Sequence, residues 1–167
     1  VGTSDLEGWG TSFEKQSPET WRRALEVNLT APFVLVKSCL EALRSSGNGS
    51  IINIGSTYGV VGAVMSLYEG TSMGSPAAYA ASKGGLIQFT RWLSTVLAPE
   101  IRVNSISPGG VWRNQPEPFH QRYVERTPLG RMAVEEDFKG IVAYLASDAS
   151  AYVTGQNIMV DGGWTAW

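Results

Sequence analysis

Two hydrophobic periods alternate along this chain, and the alternation leaves few folds open to it. Ser17-Pro18-Glu19 reads as a helix start: the Ser oxygen caps free N–H groups and Pro fits the first turn. Trp21, Leu25, Leu29, Phe33, Val36, Leu40 and Leu43 then recur at steps of three or four, an apolar stripe on a helix ending near Gly47. Residues 50–54 read as a short buried strand. A second helix starts at Ser75-Pro76, opens with small residues, turns apolar at Leu86, Phe89, Leu93, Val96 and Leu97, and stops at Pro99. Residues 101–107 form a second strand. Glu135, Glu136 and Asp137 suit the positive end of a third helix, whose apolar face is Phe138, Ile141, Val142 and Leu145. Residues 156–160 form a third strand. Helix then strand, three times over, predicts an α/β fold with a parallel sheet and three main helices packed on it. Two stretches carry no clear period: a Gly-rich loop over residues 59–75 and a polar, Pro-punctuated segment over residues 112–131.

Composition narrows the function. The chain has 167 residues, 43% of them hydrophobic, which is enough for one folded domain with a real core. Its single cysteine excludes a disulfide framework, and with a single histidine it argues against a metal site. A net charge of −2 without a basic stripe argues against nucleic acid as a partner. No apolar stretch is long enough to span a bilayer and no signal peptide is visible, so a cytoplasmic protein is expected. Cys39 reads as a small core residue. Trp164 and Trp167 read as tail packing or as a subunit contact.

The chemistry concentrates at Tyr79-Ala80-Ala81-Ser82-Lys83. Tyr79 and Lys83 sit one helical turn apart and share a face. A phenol with a pKa near ~10 is a poor base at neutral pH, and an ammonium or a helix N-terminus beside it favours phenolate. The pair can serve as a general acid/base, although a solvated Lys beside a half-buried Tyr is common on helices. Ser56 ends the first strand, where parallel sheets present ligand sites. Pro108-Gly109-Gly110 follows the second strand at the corresponding edge, where backbone approaches a ligand closely or simply turns. Pro32 lies four residues after Asn28 and has no N–H, so the Asn28 carbonyl loses its helical partner and a kink is expected.

Together these segments resemble the short-chain dehydrogenase/reductase family. The matching stretches are residues 21–33 (WRRALEVNLTAPF), 49–59 (GSIINIGSTYG), 79–85 (YAASKGG), 101–110 (IRVNSISPGG) and 153–163 (VTGQNIMVDGG), in the family's order. The resemblance implies the C-terminal part of a Rossmann-like doubly wound sheet and an NAD- or NADP-dependent alcohol/carbonyl oxidoreductase. It matches Asn28, Ser56, Tyr79 and Lys83 to the catalytic tetrad. Tyr79 would exchange the proton, Ser56 would orient the substrate oxygen, Lys83 would hold the nicotinamide ribose, and Asn28 would hold a relay water. Pro108, Gly109 and Val111 would line the nicotinamide. The resemblance also implies dimers or tetramers in which helices 21–43 and 77–97 meet their symmetry mates.

The chain departs from the family pattern in three places. The Gly-rich phosphate turn and the Asn-Asn-Ala-Gly element are absent, which predicts a piece of a longer fold with an uncovered strand edge beside residues 51–54. Tyr79 follows Ser56 by 23 residues, longer than the usual family spacing, so residues 59–76 include an insertion. Its Tyr68 and Glu69 are candidate contacts to a hydroxylated, sugar-derived substrate. Arg113 replaces a frequent Thr and is a candidate for an anionic contact. Residues 112–131 would cover the substrate, with Trp112, His120, Arg122, Tyr123 and Arg126 as candidates. The competing reading is a catalytically inactive remnant that only self-associates or binds a partner.

Overall fold

The computed structural model describes residues 8–167. Helix α1 (Pro18–Leu25) runs through one π turn (Glu26–Thr30) into α2 (Ala31–Ser45). Strand β1 (Gly49–Ile54), helix α3 (Ala77–Val96) and strand β2 (Ile101–Pro108) follow. Then come helices α4 (Glu117–Arg126) and α5 (Glu136–Ala146) and strand β3 (Asn157–Val160). The three strands are parallel in the order β1-β2-β3, with Ile51 opposite Val103 and Ile106 opposite Ile158. The fold is therefore the expected α/β arrangement. Ser17 caps α1 as its sequence position predicts, accepting the Thr20 N–H at 3.1 Å.

The middle strand is both apolar and polar inside. Ile101, Val103 and Ile106 are sealed from solvent, and so are Asn104, Ser105 and Ser107. Each buried polar group has a partner, which removes most of the cost of desolvating it. Asn104 donates to the Val153 carbonyl at 2.9 Å and accepts the Gln156 N–H at 3.0 Å. Ser105 and Ser107 both donate to the Asn157 side-chain oxygen, at 2.8 and 2.7 Å. These bonds hold β3 in register beside β2. On the other flank, Val36, Leu40 and Leu43 of α2 pack with Leu93, Leu97, Ile101 and Val103.

Some expectations need correction. The 112–131 segment contains a helix, α4. Only Phe119 and Tyr123 of that helix are buried, and two apolar residues at i and i+4 among Glu, Gln and Arg leave too faint a period to read. Cys39 is exposed on α2 and is not a core residue. The apolar stripe of α1 and α2 is only partly covered: Trp21 and Phe33 remain 40% and 50% exposed. Trp164 is buried, with Tyr123 stacked on it at 5.7 Å and Arg126 over its ring at 5.2 Å, whereas Trp167 is exposed. Strand β1 stands at an edge of the described sheet, with Ile54 about half exposed.

The start of α5 carries an acid-sensitive clamp. Asp137 accepts both Arg131 guanidinium N–H groups at 2.7 Å and the Val134 N–H at 2.8 Å. The Arg131 hydrogen bonds hold its carboxyl at about 2, below the ordinary 3.8. The folded-state value is depressed, so the clamp stabilises fully above 3.8 and is lost as pH falls toward 2. Asp137→Asn should therefore flatten the pH dependence of the urea midpoint within that window and leave its slope above pH 5 unchanged, as followed by circular dichroism.

Candidate active site

The site is assembled from the π turn, the end of β1 and the first two turns of α3. Pro32 offers no N–H to the Asn28 carbonyl, and the helix answers by widening rather than kinking. The Ala31 N–H donates to the Glu26 carbonyl, five residues back. Such one-turn bulges are frequent at functional sites. Asn28 then reaches α3: its side-chain N–H donates to Ser82 Oγ at 3.0 Å, and Ser82 donates to the Tyr79 carbonyl at 2.8 Å. Gln16 caps α3 from outside by accepting the Ala77 N–H at 3.0 Å.

Tyr79 and Lys83 share one face of α3, with Lys83 Nζ 5.9 Å from the Tyr79 ring centroid. Lys83 Nζ donates to the Ile54 carbonyl at 2.7 Å, so the ammonium bridges α3 and the end of β1. Burial pulls Lys83 below the ordinary lysine range. Ser56 follows β1 and is buried. Its Oγ accepts the Tyr58 N–H at 3.2 Å. Gly59 then crosses α3 at backbone contact: a Cβ there would lie 2.8 Å from the Lys83 carbonyl carbon and 2.9 Å from Gly84 N.

Two adjoining clefts open at this junction. The larger, about 810 Å³, is lined by Asn28, Tyr58, Tyr68, Tyr79, Lys83 and the 72–76 backbone. The smaller, about 380 Å³, is lined by Ser56, Pro108, Gly109, Val111, Phe119 and Tyr123, and it shares Tyr58, Tyr68, Tyr79 and Lys83 with the first. Gly10 and Gly74 also line the larger cleft and meet backbone to backbone, since a Cβ at Gly74 would collide with the Gly10 carbonyl.

The 59–76 loop is a wall of this site. Leu67 is buried with Phe119, Tyr123, Met132 and Trp164. Arg122 of α4 donates to the Glu69 carbonyl at 2.6 Å and to the Leu67 carbonyl at 3.4 Å. The Tyr58 and Tyr68 hydroxyls are hydrogen-bonded to each other at 3.1 Å, and the Tyr68 ring packs on Phe119 at 5.3 Å. Desolvation by burial raises both Tyr58 and Tyr68 above the ordinary phenol value, so both stay protonated at neutral pH. Tyr123, pushed up to about 12 by burial, accepts the Gly110 N–H and fixes the turn after β2.

The structure gathers Asn28, Ser56, Tyr68, Tyr79, Lys83, Pro108, Gly109 and Val111 on these clefts. It does not bring Glu69, Trp112, Arg113 or His120 onto them. Glu69 is exposed and engages α4 through its carbonyl. Arg113 pairs with Glu135 at 2.8 Å at an exposed position. The Trp112 and His120 rings pack at a tilt with centroids 4.3 Å apart, Trp112 lying against the core. Tyr58 and Phe119 were not singled out from the sequence, and an aromatic two residues after a strand-end Ser was the available signal for Tyr58. Among the described residues no cluster of three His, Cys, Asp or Glu side chains could hold a metal ion, and no helix is long and apolar enough to cross a membrane.

Open α/β sheets bind ligands outside the carboxyl ends of their strands, and Ser56, Tyr79 and Lys83 converge there. The sequence model of the family described as "Enoyl-(Acyl carrier protein) reductase" matches residues 1–165. Trans-4-hydroxycyclohexanecarboxylate dehydrogenase of Sinomonas cyclohexanicum is 38% identical over 156 residues, covering 93% of this chain and 56% of the relative. A short-chain dehydrogenase of Leptospira borgpetersenii with bound NAD+ superposes with a TM-score of 0.87 at 42% identity, covering 96% of this chain and 61% of that one. A gluconate 5-dehydrogenase of Burkholderia cenocepacia in complex with NADP and tartrate gives 0.84 at 26% identity, covering 99% and 64%. The chain belongs to the short-chain dehydrogenase/reductase family. It spans a little over half the length of the curated relatives it matches.

The Gly59 contact is directly testable. Gly59→Ala must move the Ser56–Tyr58 turn off α3 and should destabilise the fold by about 1–3 kcal/mol, read as a lowered thermal midpoint.

Proposed function

We propose that the chain carries the reacting groups of an NAD(P)-dependent oxidoreductase that interconverts an alcohol and a carbonyl, with Tyr79 as general acid/base. The observation that carries this reading is the convergence of Tyr79, Lys83 and Ser56 on one cleft, with Asn28 on its extension. The smaller cleft fits a nicotinamide riboside. Pro108, Gly109 and Val111 give a wall of backbone and small side chains on one side. On the other, Lys83 uses one N–H on the Ile54 carbonyl and has two left for ribose hydroxyls. A nicotinamide held there by Lys83 and the 108–111 wall would supply the hydride acceptor for oxidation and the hydride donor for reduction.

The chain's own residues handle the oxygen and its proton. In oxidation the substrate O–H bond breaks and Tyr79 takes the proton, while Ser56 Oγ holds the oxygen in line. In reduction Tyr79 gives that proton back. The Lys83 ammonium balances charge on the Tyr79 oxygen between these states. Asn28 holds α3 through Ser82 and stands at the far end of the larger cleft, where a water can link Lys83 to solvent. Tyr79→Phe keeps the ring and removes the proton carrier. It should lower kcat by roughly 10²–10⁴-fold in a spectrophotometric NAD(P)H assay while cofactor binding persists. Turnover at the unaltered rate would refute the role of Tyr79.

A second reading, association through the α2–α3 face, is favoured by one observation. Phe33, Leu35, Trp92 and Val96 are each about half exposed or more, and Phe33 and Trp92 flank Phe89 in an aromatic row. Soluble chains rarely leave such a patch uncovered. A homodimer or homotetramer would cover it. Trp92→Glu should shift the sedimentation coefficient to that of a smaller species, and an unchanged value would count against this face.

A further inference from the structure

The substrate end of the site carries a hydrogen-bonded pair that no part of the reaction above uses. Tyr58 and Tyr68 line both clefts beside Tyr79. Their rings are held from behind, Tyr58 edge-on to Trp164 at 5.9 Å and Tyr68 against Phe119 at 5.3 Å. The two hydroxyls are thus set in place before any ligand arrives, which lowers the entropy lost on binding. Two phenols joined by one hydrogen bond use one of their two protons between them, so the pair keeps one proton to offer to a third oxygen.

The charge around the pair is equally specific. Among the described residues, Lys83 is the one charged side chain on either cleft, and it is engaged with the Ile54 carbonyl next to Tyr79. The guanidinium groups nearby are committed elsewhere: Arg122 to the Leu67 and Glu69 carbonyls, Arg113 to Glu135, Arg126 to the Trp164 ring. An anionic substituent lodged against Tyr58 and Tyr68 would be desolvated without a counter-charge, which is costly. A neutral oxygen there gains a hydrogen bond from a phenol.

Resting on the oxidoreductase reading, we propose that the hydrogen-bonded Tyr58–Tyr68 pair is the specificity-determining donor of this site and selects uncharged substrates bearing a second oxygen, a hydroxyl or an ether, over carboxylates. This sets the chain apart from relatives whose names specify a carboxylate, such as the hydroxycyclohexanecarboxylate dehydrogenase.

Three probes built on one ring test it: cyclohexanol, cyclohexane-1,4-diol and 4-hydroxycyclohexanecarboxylate. Binding is read by saturation-transfer NMR in the presence of NAD+, and turnover by NADH formation. The diol should bind about three- to tenfold more tightly than cyclohexanol, the increment of one neutral hydrogen bond, and the carboxylate should bind most weakly. In the double variant Tyr58→Phe/Tyr68→Phe the diol-to-cyclohexanol ratio should fall close to one. If that variant does not fold, either single Phe variant, which removes one hydroxyl and unpins the other, should reduce the same ratio. A carboxylate that binds as tightly as the diol overturns the proposal, as does a ratio that survives in the folded variant, or no binding of any probe. Binding in the expected order without oxidation would support the selecting role and refute the oxidoreductase reading.

Discussion

Residues 56–59 cross α3 at backbone contact, and the arrangement of the site follows from that crossing. Position 59 has no Cβ, so the chain leaving β1 can lie against the carbonyl of Lys83 and the amide of Gly84. Ser56 is carried to within the same cleft as Tyr79, and Lys83 can reach back to the Ile54 carbonyl. A side chain at that point would separate strand from helix and divide the reacting groups between two surfaces. Gly55, one residue before Ser56, is under the same pressure, since a Cβ there would meet Ser107 Oγ at 2.7 Å.

The contact holds because the sheet beneath it cannot slide. The buried serines of β2 share one acceptor on Asn157, and Asn104 grips both sides of Gly155 through Val153 and Gln156. A slip of one residue would leave several polar groups buried without partners, each at about 1–3 kcal/mol. On the opposite side of β1, Asn53 donates to Thr90 of α3 at 2.8 Å. Polar groups thus fix the register, while Val103, Ile101 and Leu93 supply the apolar burial.

Much of this could be read from the residues. Apolar patterning located all three strands and the long helices, and it did so even where burial is partial, as in α2 and β3. The missing N–H of Pro32 marked Asn28 as the place where the helix departs from regularity, although a π turn took the place of a kink. Other features were opaque for physical reasons. Helix α4 buries only Phe119 and Tyr123, so its pattern is too sparse to stand out. Cys39 is exposed on α2, so cysteine's usual preference for burial misleads there. Tyr58 gains its place only through contacts with Tyr68, Trp164 and the 59–76 loop, which are distant in sequence or lie in irregular chain. The pairing of Arg113 with Glu135 likewise depends on how α5 is docked, not on either residue's neighbours.

The meeting of Gly10 and Gly74 bears on how the larger cleft can be altered. Where a cleft is lined by side chains, one of them can rotate aside without moving its neighbours. Here two of the lining residues meet backbone to backbone, with no side chain on either that can swing away. A residue larger than glycine at position 74 would have to displace the Gly10 carbonyl, so a substitution there shifts two chain segments together and not one side chain.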